Sequence, residues 1–596
     1  MKFTLQGINK ETFKADLVAG TTVALVLIPQ SLAYAQLAGL PVTFGLYASL
    51  LPPFIAAFFG SSKQLSTGPV AVLSLMTAAA ITPYAQAGTE LYAIYAVILA
   101  VSLGVFQIGL GVLKLGGLIS FLSHPVVYGF TNAAAIVIAT TQLSKFFGVS
   151  VGAYEHHYQT VIAVVEKAMV KTDVTTLVFG LIAFTVMYIL KKINKNIPAV
   201  LIVVLFSILV SWISGYKGSI VGHIPAGLPT VHIPLVDLSI IPSLTLTIIT
   251  MALIGFTEAI SVAQAIAVKT RDKVDPNKEL IGQGLANIGG ALIESYPVAG
   301  SFSRTAVNYQ AGGKTWMSSM FTSLIVLITL LFFTRTLYFL PQVVLAAIIV
   351  ISVMGLLDFK KVFHIWNNSR FDAVAACLTF FGTLFFAPHL EKGVVLGIAF
   401  SIGYYVYRNA RPRLVFLSKY KDGAFHDVER FKLDRCKNIA VVRLDAPLFF
   451  ANSNYFENEI IKDLANNKEI KYVLIVGSGI NEIDSTGEEM LTSVMSALKE
   501  SGKELYFSNV KSQIHDVFVR SGFLKKAGQS HFFPTTQEAM ITLIARLEHK
   551  HAHQDSNNCP LDKYVKKQAS ERIAAKDKRE NIAYFYQKLL HTFIGL

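Results

Sequence analysis

The chain has 596 residues, 53% of them hydrophobic and 15% charged, with a mean hydropathy of +0.51, values that exclude an enzyme soluble throughout. Its net charge of +14 does not signal nucleic acid, because the lysines and arginines sit in short breaks between apolar runs and not on one soluble face. Cys377, Cys436 and Cys559 are too few and too scattered for a disulfide framework.

Residues 1–16 carry Lys2, Lys10 and Lys14 and lead into an apolar stretch without a small-residue cleavage site, the pattern of a retained first span. Runs near the ~20 residues of a bilayer crossing follow at 17–38, 43–60, 91–112, 121–143, 174–191, 197–214, 243–268, 277–294, 316–334, 340–356, 371–387 and 391–407. Two further stretches, 67–81 and 301–311, are too short or too polar for ordinary crossings. Counted as half-crossings, they bring the total to fourteen segments. That count collects Lys2, Lys10, Lys14, Lys63, Lys114, Lys191, Lys192, Lys195, Lys269, Arg271, Lys273, Lys278, Lys314, Lys360, Lys361, Arg370, Arg408, Arg411 and Arg413 on one side. The other side receives Lys145, Lys167, Lys171, Lys217, Arg335 and Lys392. Basic residues gather on the cytoplasmic side of a membrane, so both termini are expected there.

An internal repeat runs through this region. PQSLAYAQLAG at 29–39 aligns with TEAISVAQAIA at 257–267, placing Gln36 opposite Gln264 and Gln30 opposite Glu258. Each copy then reaches its short segment, STGPVAVLS at 66–74 and VAGSFSRTAVN at 298–308. Seven segments separate the copies, an odd number, so they cross the bilayer in opposite senses. Two inverted seven-segment repeats are the architecture of a secondary transporter.

A helix that begins inside the bilayer leaves its first N–H groups unpaired and carries about half a positive charge at that end. Gly68 and Pro69 are expected to open one half-helix, and Gly300 and Ser301 the other. Their facing tips would form an anion pocket from backbone alone. Arg304 adds a full positive charge one turn into the second half-helix, where an arginine is costly enough to imply a function. It either attracts the anion, or pairs with Glu258 to lock two helices, or does both. Glu258 is correspondingly a structural partner or the holder of a coupling ion, H+ or Na+. Gln30, Ser301 and Ser303 offer uncharged hydrogen bonds to oxyanion oxygens, beside Phe302; Tyr34, one turn after Gln30, can wall the pocket.

The stretches PQSLAYAQLAGLPVTFGLYAS (29–49), FGSSKQLSTGPVAVLSLM (59–76), GFTEAISVAQ (255–264) and GSFSRTAVN (300–308) closely resemble the sulfate permease family, SulP, whose animal members are the SLC26 anion transporters. The resemblance covers nearly the whole chain. It implies a core domain moving against a gate domain and a homodimer. It also implies an anion held between segments three and ten, with Gln30, Tyr34, Val70, Ser301, Ser303 and Arg304 at the family's binding positions. Relatives carry sulfate, bicarbonate, chloride, oxalate or dicarboxylates. Some bicarbonate carriers hold sodium through an Asp in segment eight, where this chain has Glu258.

After Arg413 the composition turns to soluble α/β material, dividing the chain into a membrane domain at 1–413, a cytoplasmic domain at 414–550 and a polar linker with a basic helix at 551–596. NIAVVRLD at 438–445 and KYVLIV at 471–476 read as buried strands with helices on one face of their sheet. DSTG at 484–487 resembles the STAS domain of anti-sigma-factor antagonists and of SulP tails. Ser485 there is either a phosphorylated switch or part of a helix N-cap. His549, His551, His553 and Cys559 lie in an Asn-rich linker, where solvation is a better reading than metal.

The sequence thus predicts an α-helical membrane transporter with a cytoplasmic STAS domain. It would carry small inorganic oxyanions, sulfate foremost, across the plasma membrane, with no catalytic residue, cofactor or nucleic-acid partner. A cytoplasmic partner is expected for the STAS domain. Three rivals stand beside this reading: a nucleobase permease, which leaves Arg304 unexplained, an anion sensor that signals without transport, and an anion channel or voltage-driven motor.

Overall fold

The computed structural model describes residues 9–117, 123–152, 154–194, 198–228 and 238–550. Contacts divide the chain into two units between Ile402 and Gly403, inside the helix Leu390–Ala410. The linker reading and the cluster of His551, His553 and Cys559 fall outside the described residues, as does the side chain of His549.

Each expected membrane segment has a helical counterpart. In order they are Lys10–Leu37, Val42–Tyr47 with Leu51–Phe59, Ala71–Ile81, Glu90–Val112, His124–Thr141, Val174–Ile193 and Ala199–Ser214. The second series is Ile241–Thr270, Pro276–Ala291, Phe302–Gln310, Met317–Ile328, Gln342–Met354, Arg370–Phe386 and Leu390–Ala410. Segment eleven continues past Ile328 as one π turn and a 3-10 turn. Shorter helices outside this series are Leu143–Phe147, His157–Lys171 and Phe359–Asn368.

The segments sort into two packed groups. Segment nine lies on segments two and four, segment one on eleven, and segment eight on four, forming a core. Segment thirteen lies on five, twelve on five and six, and seven on six, forming a gate. Small residues set these approaches, as in many helix pairs within lipid. A Cβ on Gly104 would meet the Gly284 carbonyl oxygen at 2.6 Å, so segments four and nine touch backbone to backbone.

Segments three and ten do not cross. Each is entered through a short extended stretch, β1 (Thr67–Gly68) and β2 (Ala299–Gly300), and the two pair antiparallel with Thr67 opposite Gly300. Both half-helices therefore start from one crossing point. Gly68 and Pro69 do not open a helix, which corrects the expectation from sequence: the helix begins at Ala71 with Val70 as N-cap. Gly68 is needed for another reason. Its φ of +151° suits glycine, and a Cβ there would lie 3.4 Å from Arg304 Nη2.

The second unit is a six-stranded sheet in the order β4-β3-β5-β6-β7-β8. Its strands are β3 (Leu414–Lys419), β4 (Phe425–Asp427), β5 (Ile439–Leu444), β6 (Tyr472–Val476), β7 (Glu504–Ser508) and β8 (Phe532–Phe533). β5 to β8 run parallel. The sheet is covered on both faces, not one. Ala440, Val442 and Leu444 pack with Phe456, Leu491 and Phe518 from three helices. Ile439 and Val441 on the opposite face pack with Met540, Leu543 and Ile544 of Thr536–Lys550. All five residues of β6 are buried, as a parallel strand between two layers requires. Asp484 is the N-cap of Ser485–Glu500, its Oδ1 accepting from Gly487 N at 2.8 Å, and Ser485 is the exposed first helical residue.

Candidate functional site

The crossing of β1 and β2 is built by side chains that have few other roles. Asn287 of segment nine accepts from Val298 N at 2.8 Å and donates to Val298 O at 3.1 Å, fixing the entry to β2. Gln283, one turn earlier, donates to Thr67 Oγ1 at 2.7 Å and holds β1. Ser66 N donates to Thr305 Oγ1 at 3.0 Å, and Ser301 N donates to Ser66 O at 2.9 Å. These bonds satisfy strand polar groups that lipid cannot. They leave the helix tips free.

At the tips, Val70 caps Ala71–Ile81 with backbone only, so the N–H groups of Ala71 and Val72 lack helical acceptors. Ser301 caps Phe302–Gln310 by accepting from Arg304 N at 3.5 Å, and its Oγ lies 3.4 Å from Ser303 Oγ. The N–H groups of Phe302 and Ser303 are likewise outside the helical ladder. Both tips open on one cavity of about 130 Å³. Its core wall comes from Gln30, Tyr34, Val70, Ala71, Val72, Glu258, Ser301, Phe302 and Ser303. Its gate wall comes from Lys191, Ser352, Gly355 and Leu356. Gln30 Nε2 donates to Ser352 Oγ at 3.4 Å, a bond between the two walls. Lys191 is exposed near the end of segment six, so the mouth faces the side rich in lysine and arginine.

The structure brings together Gln30, Tyr34, Val70, Ser301, Phe302, Ser303 and Glu258. Gly68, Pro69 and Arg304 stand behind the wall. Arg304 is 1% exposed, and its Nη1 donates to Pro69 O at 2.8 Å, so helical geometry turns the third residue of the half-helix back toward β1 and not into the cavity. Nor does it lock onto Glu258. Among the described residues Glu258 Oε2 and Arg304 Nε and Nη2 are buried without hydrogen-bond partners, so of the alternatives open from sequence the direct Glu258–Arg304 pair is not the one formed.

The gate residues were not among those expected from sequence, because nothing in the sequence states which distant segment faces the half-helices. Two signals were present: Ser352 is a hydroxyl within the apolar run of Gln342–Met354, and Lys191 is the first charge to break segment six.

The family model described as "Sulfate permease family" matches residues 13–379, and the model described as "STAS domain" matches residues 430–539. The chain is 34% identical over 570 residues to "Sulfate transporter 4.1, chloroplastic" of Arabidopsis thaliana, covering 91% of this chain and 82% of that protein. Among solved structures, murine Solute Carrier 26 family member A9, an anion transporter in the inward-facing state, superposes with a TM-score of 0.82 at 25% identity over 90% of this chain and 92% of that one. The transmembrane domain of the cyanobacterium bicarbonate transporter BicA shares the fold of the membrane unit, with a TM-score of 0.57 at 22% identity over 66% of this chain and 99% of that one.

Proposed function

For a chain that belongs to the sulfate permease family, and is therefore a multi-pass membrane transporter of anions and not an enzyme, we propose that the substrate is sulfate, moved together with a proton by alternating access. One observation carries this reading: two half-helix N-termini converge on a single cavity. Each tip contributes about half a positive charge, and Arg304 behind them one more. The sum at the tips, about +2 with Lys191 counted apart at the mouth, matches a sulfate dianion when Glu258 is neutral. With Glu258 ionised the balance falls to about +1, so a proton on its carboxyl favours loading and its loss favours release. Glu258, half-buried in the cavity wall with one oxygen buried and unbonded among the described residues, holds a proton without further ligands. The backbone N–H groups of Ala71, Val72, Phe302 and Ser303 supply donors on two sides of a tetrahedral anion, and Gln30 and Ser301 supply orientation.

Core and gate each provide one wall, so a rigid shift of one against the other exposes the same cavity first to one side and then to the other. The mouth at Lys191 corresponds to an inward-facing arrangement under the positive-inside rule. We place the chain in the plasma membrane with both termini in the cytoplasm. The same reading expects a homodimer, a cytoplasmic partner for the STAS domain, and a role for exposed Ser485 as a switch at a helix N-terminus.

Uptake of labelled sulfate into proteoliposomes, with and without an imposed proton gradient, tests this. Saturable uptake driven by the gradient, and suppressed by excess unlabelled sulfate more than by bicarbonate, chloride or oxalate, is expected. Preferential suppression by bicarbonate would move the assignment to that anion; no flux of any anion would favour the sensor.

A further inference from the structure

One lysine of the membrane unit is tied to the opposite wall. Lys145, in the short helix Leu143–Phe147 after segment five of the gate, donates from Nζ to Gln36 Oε1 of segment one of the core at 3.0 Å. Gln36 lies six residues beyond Gln30, about 9 Å further along the helix and away from the mouth at Lys191. The bond therefore joins core to gate on the side where the cavity is closed.

The inverted repeat gives this bond a counterpart. Gln264 is the repeat equivalent of Gln36 and lies six residues beyond Glu258, as Gln36 lies six beyond Gln30, but toward the opposite face of the membrane. Gln264 is exposed, whereas Gln36 is half-buried. Segment twelve is the equivalent of segment five, and it too is followed by a short helix, Phe359–Asn368. Lys361 is the third residue of that helix, as Lys145 is the third of Leu143–Phe147. Lys361 now sits 3.3 Å from Asp358 and 4.9 Å from the centroid of the Tyr128 ring, with about half its side chain exposed. An exposed pair of that kind is worth little and is easily exchanged.

We infer that Lys145 with Gln36 forms an outer latch between gate and core, that Lys361 with Gln264 forms the matching inner latch, and that the two close in alternation. This rests on the alternating-access reading above. When a latch opens, its lysine is released at the mouth of the cavity just exposed, where a positive charge draws an anion in. Each lysine thus serves as a bolt in one state and a lure in the other. Both are positioning residues.

The test uses the full chain in proteoliposomes with Cys377, Cys436 and Cys559 replaced by Ser. A short bifunctional thiol reagent is applied to Gln264→Cys/Lys361→Cys, with and without Lys145→Met. Loss of the outer latch is expected to raise the inner cross-linking rate on the order of tenfold, the effect of removing one hydrogen bond to a charged group. Gln36→Met should act in the same direction, and serves if Lys145→Met does not fold; Lys145→Arg should restore the original rate. A rate unchanged by both Lys145→Met and Gln36→Met overturns the latch. Labelled-sulfate uptake by the cysteine-free parent separates the two claims. Uptake without the cross-linking response removes the latch alone, whereas the response without sulfate uptake keeps the latch and removes the substrate assignment.

Discussion

Arg304 Nη1 donates to the carbonyl oxygen of Pro69 across 2.8 Å, so the charge on the second half-helix is fastened to the chain entering the first. The guanidinium thereby couples the two tips mechanically and lends them a positive field without touching the cavity. Removing it leaves the Pro69 carbonyl unsatisfied and takes away one of the charges that balance the anion. Arg304→Ala should weaken sulfate binding on the order of 100-fold, whereas Ser303→Ala, which loses one neutral hydrogen bond, should cost only about 3- to 10-fold. Calorimetric titration of the purified variants measures both. Equal losses would reduce Arg304 to a structural tie.

Glu258 lines the same cavity with a buried oxygen that has no hydrogen-bond partner among the described residues. A neutral carboxyl admits a dianion more readily than a carboxylate does. Sulfate uptake should therefore rise as the pH on the loading side falls. Glu258→Gln is permanently neutral, so its exchange of sulfate for sulfate should persist while the response to a proton gradient disappears. Uptake by Glu258→Gln that still follows the gradient would place the proton elsewhere.

Asn287 makes both backbone bonds of Val298 and also donates to Gln107 Oε1 at 3.0 Å. Asn287→Leu leaves these buried groups without partners, at about 1–3 kcal/mol each. The expected outcome is a clear fall in the unfolding temperature of the membrane unit together with weaker sulfate binding, because β2 aims the second half-helix. Unchanged thermal stability would show that the clamp is dispensable.

In the STAS domain His531 stacks on Tyr506 with ring centroids 4.6 Å apart, its Nε2 3.9 Å from Glu504 Oε2. Burial holds its imidazole below the ordinary histidine range, Glu504 opposing and Arg546 adding to the effect. The unfolded chain then binds more protons than the folded one. The stability tied to His531 is therefore complete above the unfolded value of about 6.5 and is lost as pH falls through and below it. Hydrogen exchange at β7 and β8, normalised to the intrinsic exchange rate at each pH, should accelerate as pH falls from 7.5 to 5.5, and His531→Phe, which keeps the stack, should flatten that dependence. The same acceleration in His531→Phe would exclude this histidine as its source.

Much of this arrangement was legible along the chain. Half-length apolar stretches carrying Gly68, Pro69, Gly300 and Ser301 marked the breaks, because neither stretch is both long and apolar enough to cross a bilayer. DSTG marked the helix start at Ser485 because an Asp before a helix accepts its free N–H groups. What escaped depended on direction and distance. A one-dimensional reading sees that Arg304 is near the tip but not that its side chain turns back to Pro69. It sees Lys191 and Ser352 but not that the gate carries them to the cavity. The all-apolar β6 was compatible with one covered face or two, and only the packing of Thr536–Lys550 decided it.

The central claim is that both half-helix tips bind one anion, and selenate, a sulfate analogue with an anomalous scatterer, tests it most directly. Crystals grown with selenate should show a single selenium peak in the cavity within hydrogen-bonding reach of the N–H groups of both Ala71–Val72 and Phe302–Ser303. That peak should be abolished by excess sulfate. Selenium bound only beside Lys191 at the mouth, or contacting one half-helix and not the other, would contradict the account.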